Sequence, residues 1–290
     1  MTQPLADLLP GGAGGGGVRV WLKSADYTLR LLGNGGDPWA GAAQYLAYFS
    51  QAHGLLRPDV AVVEVGGLYD SWLVRHPELK AELGAKRRLA WPLRKWLEAE
   101  PPRAILAEVL AAVVAHLRGQ VPLVLAMPSP RHWLYRANVL AGREDVELDG
   151  DGIEDAAMYV ADVLRSVSHL DVAGLLFEER DDDARFGPLE VERYRPVLNV
   201  ARHYRWSVAL RLGDAPLAAQ PAIEDVQALI GPAAAIHGAD VATGLDVSEA
   251  LWAGQEIPAR GARQFWFAEI PREQKPESVL ENLARLRAQA

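Results

Sequence analysis

The residues of this chain with chemical potential stand at the ends of short apolar runs. Glu178 and Glu179 close the run Val172–Phe177. A carboxylate at the rim of an apolar interior loses water and its pKa rises, which suits an acid or a base. Neighbouring strand residues point to opposite faces, so only one of the two can face the centre. An acidic loop is the alternative, since Asp181–Asp183 follow directly. Arg131 and His132 follow the rigid Pro128-Ser129-Pro130, and the pair could hold an anionic or carbonyl group; a solvated loop is the bland reading. Lys23 and Arg211 end two further runs, with Asp26 and Asp214 just beyond them. Facing inward, they would favour a carboxylated or phosphorylated substrate; facing elsewhere, they are barrel-layer or salt-bridge residues. Glu64 ends another run and is followed by Tyr69 and Asp70, while His237, Asp246 and Glu269 close the remaining ones. A glutamate at 178 or 179 together with Glu269 resembles the carboxylate pair of a glycosidase, which needs a separation of about 5–10 Å. The nine tryptophans would suit sugar stacking, yet Trp91, Trp96 and Trp206 fall where packing explains them. His53, His76, His116, His169 and His203 read as packing or surface residues. No two histidines have ligand spacing, so no metal site is expected.

These side chains need a frame that brings distant strand ends together. The apolar runs have strand length: Val18–Lys23, Val60–Val65, Pro122–Met127, Val172–Phe177, Ser207–Leu212, Ala233–His237, Val241–Asp246 and Gln264–Glu269. Most are continuous rather than alternating, as expected of parallel strands covered on both faces. Helical patterns lie between them, at Ile105–His116, Ile153–Val167 and Pro276–Ala288. Glu277 near the start of the last one, with Arg285 and Arg287 near its end, suits the helix dipole. Alternating strands and helices over about 250 residues predict a single-domain (β/α)8 TIM-type barrel, whose active site lies at the strand C-termini. An open doubly wound sheet is the alternative, but no dinucleotide fingerprint follows the first strand. Residues 18–290 are assigned to the barrel. A long insertion at about 69–101 carries Trp72, Trp91, Trp96 and the basic Lys86–Arg88. Gly11–Gly17 is nearly all glycine, so residues 1–17 are expected to form a flexible tail. A phosphate-binding loop would need a strand before the glycines and a helix after them, and here a strand-like run follows.

Composition narrows the chemistry. Of 290 residues, 50% are hydrophobic and 23% charged, which fits a folded chain with one large core. The formal net charge of -8 disfavours nucleic acid as a partner. There is no cysteine, which removes disulfides, iron–sulfur clusters, thiolate zinc sites and cysteine nucleophiles. Met1–Pro10 has neither a basic start nor a long apolar run, and no stretch reaches the roughly 20 apolar residues of a bilayer span. A cytoplasmic enzyme is expected, with no membrane partner.

Several strand-end segments together resemble the uroporphyrinogen decarboxylase and cobalamin-independent methionine synthase superfamily. Val20-Trp21-Leu22-Lys23-Ser24-Ala25-Asp26-Tyr27 resembles the first-strand motif of the decarboxylases. Pro122–Ala126 leading into Pro128-Ser129-Pro130 and Trp133 resembles their third-strand segment. Gly244-Leu245-Asp246 with Leu251 resembles a late Gly-Asn-Leu-Asp segment. Ile270-Pro271 with Pro276-Glu277-Ser278-Val279 resembles the closing Pro-Pro-Glu-Asn-Val stretch. The resemblance implies a (β/α)8 barrel that hosts either cofactor-free decarboxylases or zinc methyltransferases. The chain departs from both. The position of the methyltransferases' His-x-Cys-Gly site reads Leu210-Arg211-Leu212-Gly213. Of the arginines with which the decarboxylases grip substrate carboxylates, only Lys23 matches, and their catalytic aspartate after the second strand meets Gly66.

The expected function is that of a metal-independent lyase without a cofactor, decarboxylase-like, acting on a small anionic or carbonyl-bearing molecule. Lys23, Arg131 or Arg211 would orient the substrate, and His132, Glu64, Glu178 or Glu179 would move the proton. Tyr69, Asp70, His237, Asp246 and Glu269 complete the expected binding set. The rivals are a methyltransferase using a folate or corrinoid partner protein, and a non-catalytic subunit beside a partner barrel. A homodimer is the expected assembly.

Overall fold

The structure, a computed structural model, describes residues 3–15, 17–33, 35–180, 188–213 and 225–289. Eight parallel strands form a nearly closed (β/α)8 barrel: β1 (Val20–Lys23), β2 (Ala61–Glu64), β3 (Leu123–Pro128), β4 (Gly174–Glu178), β5 (Ser207–Arg211), β6 (Ala228–Gly231), β7 (Ala242–Asp246) and β8 (Gln264–Glu269). The strands follow one another around the ring as β1-β8-β7-β6-β5-β4-β3-β2. Among the described residues no strand pairing joins β1 to β2, which leaves a seam there.

A short helix, α1 (Leu5–Leu8), precedes the barrel. Around it run α2 (Ala25–Leu32), α3 (Ala42–Leu56), α4 (Val65–Arg75), α5 (Pro77–Leu83), α6 (Trp91–Leu97), α7 (Glu100–Leu117), α8 (Pro130–Leu140), α9 (Gly150–Ser166), α10 (Pro188–Glu192), α11 (Arg195–Tyr204), α12 (Ala233–Ile236), α13 (Ser248–Trp252) and α14 (Pro276–Ala288). Residues 69–101, the expected insertion, run from within α4 through α5 and α6 into the start of α7. Local chemistry sets the helix starts that matter for the site. The Ser129 side chain caps α8 by accepting from His132 N, and Asp149 caps α9 by accepting from Gly152 N. No described helix is long and apolar enough to cross a membrane.

The strands bury both faces, which is why they read as continuous apolar runs. Inside the ring, Trp21, Val124, Ala126, Leu176, Ala209, Ile230, Phe265 and Phe267 form one core. Outside it, Leu22, Val63, Leu125, Phe177, Leu210 and Ala268 pack against the helices. Phe265 and Phe267 are fully buried, each contributing about 2–3 kcal/mol of transfer free energy.

Two sequence expectations fail here. Residues 1–17 are not a loose tail throughout. Leu5 and Leu9 are fully buried and join the inner core. Leu5 N donates to Ala173 O, and Ala6 N donates to Ser207 Oγ at 2.8 Å. The apolar residues before the glycines thus close the N-terminal end of the barrel. Gly174 makes room for them, since a Cβ there would lie 2.7 Å from Ser207 O and 3.1 Å from a Leu5 methyl. The second failure concerns the sixth strand, which is Ala228–Gly231 and not Ala233–His237. Three successive alanines after Pro232 form α12 instead, because alanine favours helix and proline opens one well.

Candidate active site at the strand C-termini

Strand parity decides which side chains enter the mouth. In β1, Val20 and Leu22 pack outward and Trp21 inward, so Lys23 points inward. The same alternation turns Glu64, Glu178, Arg211, Asp246 and Glu269 toward the axis and sends Glu179 the other way. The mouth therefore collects residues from six strands.

They form a continuous ionic network. Lys23 Nζ lies 2.6 Å from Glu178 Oε1 and 3.7 Å from Glu269 Oε1. Arg211 reaches Glu178 Oε1 at 3.3 Å, Glu269 Oε2 at 2.6 Å and Asp246 Oδ2 at 3.7 Å. Beneath it the Phe267 ring supports the guanidinium at 4.9 Å. Two more residues brace the rim. Ser248 Oγ lies 2.5 Å from Asp246 Oδ1 and accepts from Glu269 N at 2.8 Å, and Trp252 Nε1 donates to Glu269 O at 2.6 Å.

The network splits the acids into two kinds. Burial pushes the Glu178 carboxyl up, but Lys23 and Arg211 more than offset this and hold it below its ordinary value. Burial lowers Lys23, yet Glu178 and Glu64 hold it above its usual range, and Glu269 and Glu178 do the same for Arg211 against its burial. Glu64 has the opposite fate. Burial and the nearby Glu178 charge push it up to about 8, with Lys23 opposing. No hydrogen bond or ion pair ties its carboxyl to a described residue. It is a protonated acid at neutral pH beside an ionised one, the arrangement that separates an acid from a base.

The two cations are already matched by the three carboxylates with which they pair. The mouth therefore does not present the free positive charge on which the expectation of a carboxylated or phosphorylated substrate rested.

The other expected residues lie elsewhere. Glu179 is buried behind β4, where its carboxylate accepts from Ser129 Oγ and Tyr194 OH, each at 2.8 Å. Arg131 is buried in the same helix-side region, 4.0 Å from Glu190. Neither joins the mouth network: Glu179 has the wrong parity, and Arg131 leaves α8 toward α10 and α11. His132 stands at the rim with Nδ1 3.0 Å from Glu178 O, so it anchors the main chain of β4 and not the Glu178 carboxyl. Burial lowers its pKa, which keeps the ring neutral. Tyr69 is fully buried between β3 and the insertion helices, its ring 5.6 Å from that of Trp133. Asp70 pairs with Arg136 at 2.7 Å on the outer surface. Both belong to α4, whose side chains point away from the axis here. His237 is exposed and precedes β7, so it sits toward the opposite end of the barrel. Asp181–Asp183 and Asp214 lie outside the described residues. The sequence reading passed over Ser248 and Trp252, and Thr28 and Tyr48 near Glu64, since single hydroxyl and indole groups on short helices carry no pattern.

Among the described residues no three His, Asp or Glu side chains stand together as a metal site. At Gly66 a Cβ would meet Pro128 Cδ at 2.8 Å. Gly66 therefore excludes a side chain here unless the proline moves. No protein-family model matches the chain, and no curated protein matches it.

Proposed function

We propose that this protein is a cytoplasmic, decarboxylase-like lyase that acts on a small monocarboxylic acid bearing a carbonyl group. What carries the reading is the buried Glu64 carboxyl, without an ion-pair partner among the described residues and pushed up to about 8, beside the ion-paired Lys23–Glu178–Arg211–Glu269 network. An acid with a pKa near neutrality is suited to give a proton to carbon and recover it. In the proposed step the bond to the substrate carboxylate breaks and carbon dioxide leaves. The bonding electrons pass into the carbonyl attached to the carbon that lost it, as in a β-keto acid, to give an enolate. Lys23 and Arg211 stabilise the enolate oxygen with N–H groups already fixed in place. Glu64 then protonates the enolate carbon. The ion-paired carboxylates of the mouth repel a second negative group, which limits the substrate to one carboxylate. The resemblance to the uroporphyrinogen decarboxylase superfamily supports the same class of reaction, while the crowded Gly66 assigns the proton to a different residue.

The test is a panel of small β-keto monoacids incubated with the protein in deuterium oxide. Release of carbon dioxide with one deuterium at the carbon that lost it supports the reading. A panel that yields neither product overturns it.

A further inference from the structure

The seam between β1 and β2 opens onto a cavity of about 60 Å³ bounded by α2 and α3. Leu22 and Phe49 give it apolar walls, while Thr28, Tyr48, His53 and Glu64 give it a polar side. By strand parity Glu64 also belongs to the mouth, so the residue borders both spaces. Peptide groups of the seam border the same cavity. β1 turns its odd-numbered residues to β8: Trp266 N donates to Arg19 O and Ile270 N to Lys23 O. Its even-numbered residues therefore face β2. Val20 N donates to Asp59 Oδ2 at 2.9 Å, and above that point no strand bond crosses the seam among the described residues. The Thr28 and Tyr48 hydroxyls lie 2.6 Å apart and also reach Ser24 O and Ala25 O of the main chain, while the buried His53 Nε2 has no hydrogen-bond partner. A buried nitrogen without a protein partner is ordinarily satisfied by water, and the volume suffices for more than one molecule.

We infer that this cavity binds a short file of water that joins the seam peptide groups and the Thr28–Tyr48 hydroxyls to Glu64, and that Glu64 regains its proton through this file and not through the mouth. The inference rests on reading Glu64 as the proton donor. Substrate in the mouth blocks water from that side, so the acid needs a second path to solvent. The balance is simple: Glu64 gives one proton to carbon, its carboxylate takes one from a seam water, and that water takes one from bulk. The charged and titratable groups facing Glu64 are Lys23 from β1, Asp26 from α2, Tyr45 and Tyr48 from α3, Glu178 from β4 and Glu269 from β8.

Infrared difference spectra between the wild type and Glu64→Gln isolate the carboxylic acid band of Glu64. The band is expected to disappear with a midpoint near pH 8. Ala52→Leu fills the cavity, and Tyr48→Phe removes one hydroxyl while keeping the ring. Displacing the water that solvates the carboxylate should raise the midpoint by about one pH unit in Ala52→Leu and slow recovery of the proton about tenfold. Tyr48→Phe should slow recovery without filling the space, and it decides the matter if Ala52→Leu does not fold. A band present at pH 7 whose midpoint and recovery are unchanged in both folded variants overturns the water file alone. No acid band at pH 7 in the wild type overturns the assignment of Glu64 as donor, and the file with it.

Discussion

Glu178 and Glu179 are neighbours in the chain and opposites in the fold. Glu178 faces the barrel axis, bridges Lys23 and Arg211, and is held ionised. Glu179 faces the helices and accepts from Ser129 and Tyr194 in a buried polar cluster. Two identical side chains thus serve two regions: an ionic network at the mouth of the barrel, and a closed cluster that fastens β4 to α8 and α11. The difference arises from the two-residue period of a strand, which assigns side chains to faces before any contact is made. It also separates what the two regions do. Changes at the mouth should alter chemistry at little cost to stability, and changes behind β4 should do the reverse.

The sharpest division is expected at Glu64. Glu64→Gln keeps size and neutrality but has no proton to give, so turnover on the substrate found in the panel should fall about 10³-fold. Its thermal midpoint should stay within about 2 °C of wild type; a collapse of stability would move Glu64 into the structural region. Glu179→Ala should show the converse. It removes the shared acceptor of two buried hydroxyls and should cost about 3 kcal/mol, lowering the midpoint by roughly 6–12 °C. Folded protein should retain turnover within about threefold, and a loss beyond about 100-fold with unchanged melting would erase the division.

A smaller effect follows from pH. Folding raises Glu64 from 4.5 to about 8, so between these values the native state keeps a proton that the unfolded chain releases. Stability should therefore fall as pH rises through that window, by at most about 1.4 kcal/mol per unit, and level off above it. Glu178 is lowered, so its contribution acts in the other direction and disappears only below pH 4.5. Melting from pH 5 to 9 should slope downward in the wild type and flatten in Glu64→Gln. The smallest effect is expected at the two residues that lie outside both regions. Asp70→Asn and His237→Ala should each change stability by no more than about 0.5 kcal/mol and leave turnover within about twofold.

The sequence disclosed the barrel because its buried strands form continuous apolar runs, and seven of the eight runs coincide with strands. The sixth run misled because Ala233–Ile236 is apolar enough for a strand while its alanines favour helix. Strand-end candidates such as Lys23, Glu178 and Arg211 were legible, since a strand gives its last inward residue one direction. Arg131, Tyr69 and Asp70 were not, because a helix presents side chains all around its axis and only packing selects the face. Nor could the sequence tell that Lys23 neutralises Glu178 and leaves Glu64 alone. That choice depends on distances across the ring between residues 155 positions apart.

The most direct test of the mouth is a carbon-13 NMR titration of the glutamate side-chain carboxyl groups, with Glu64 and Glu178 assigned from Glu64→Gln and Glu178→Gln. The account predicts a midpoint of about 8 for Glu64 and one below 4.5 for Glu178. Two ordinary midpoints near 4.5 would contradict it, since no acid would then remain beside the ionised network at neutral pH.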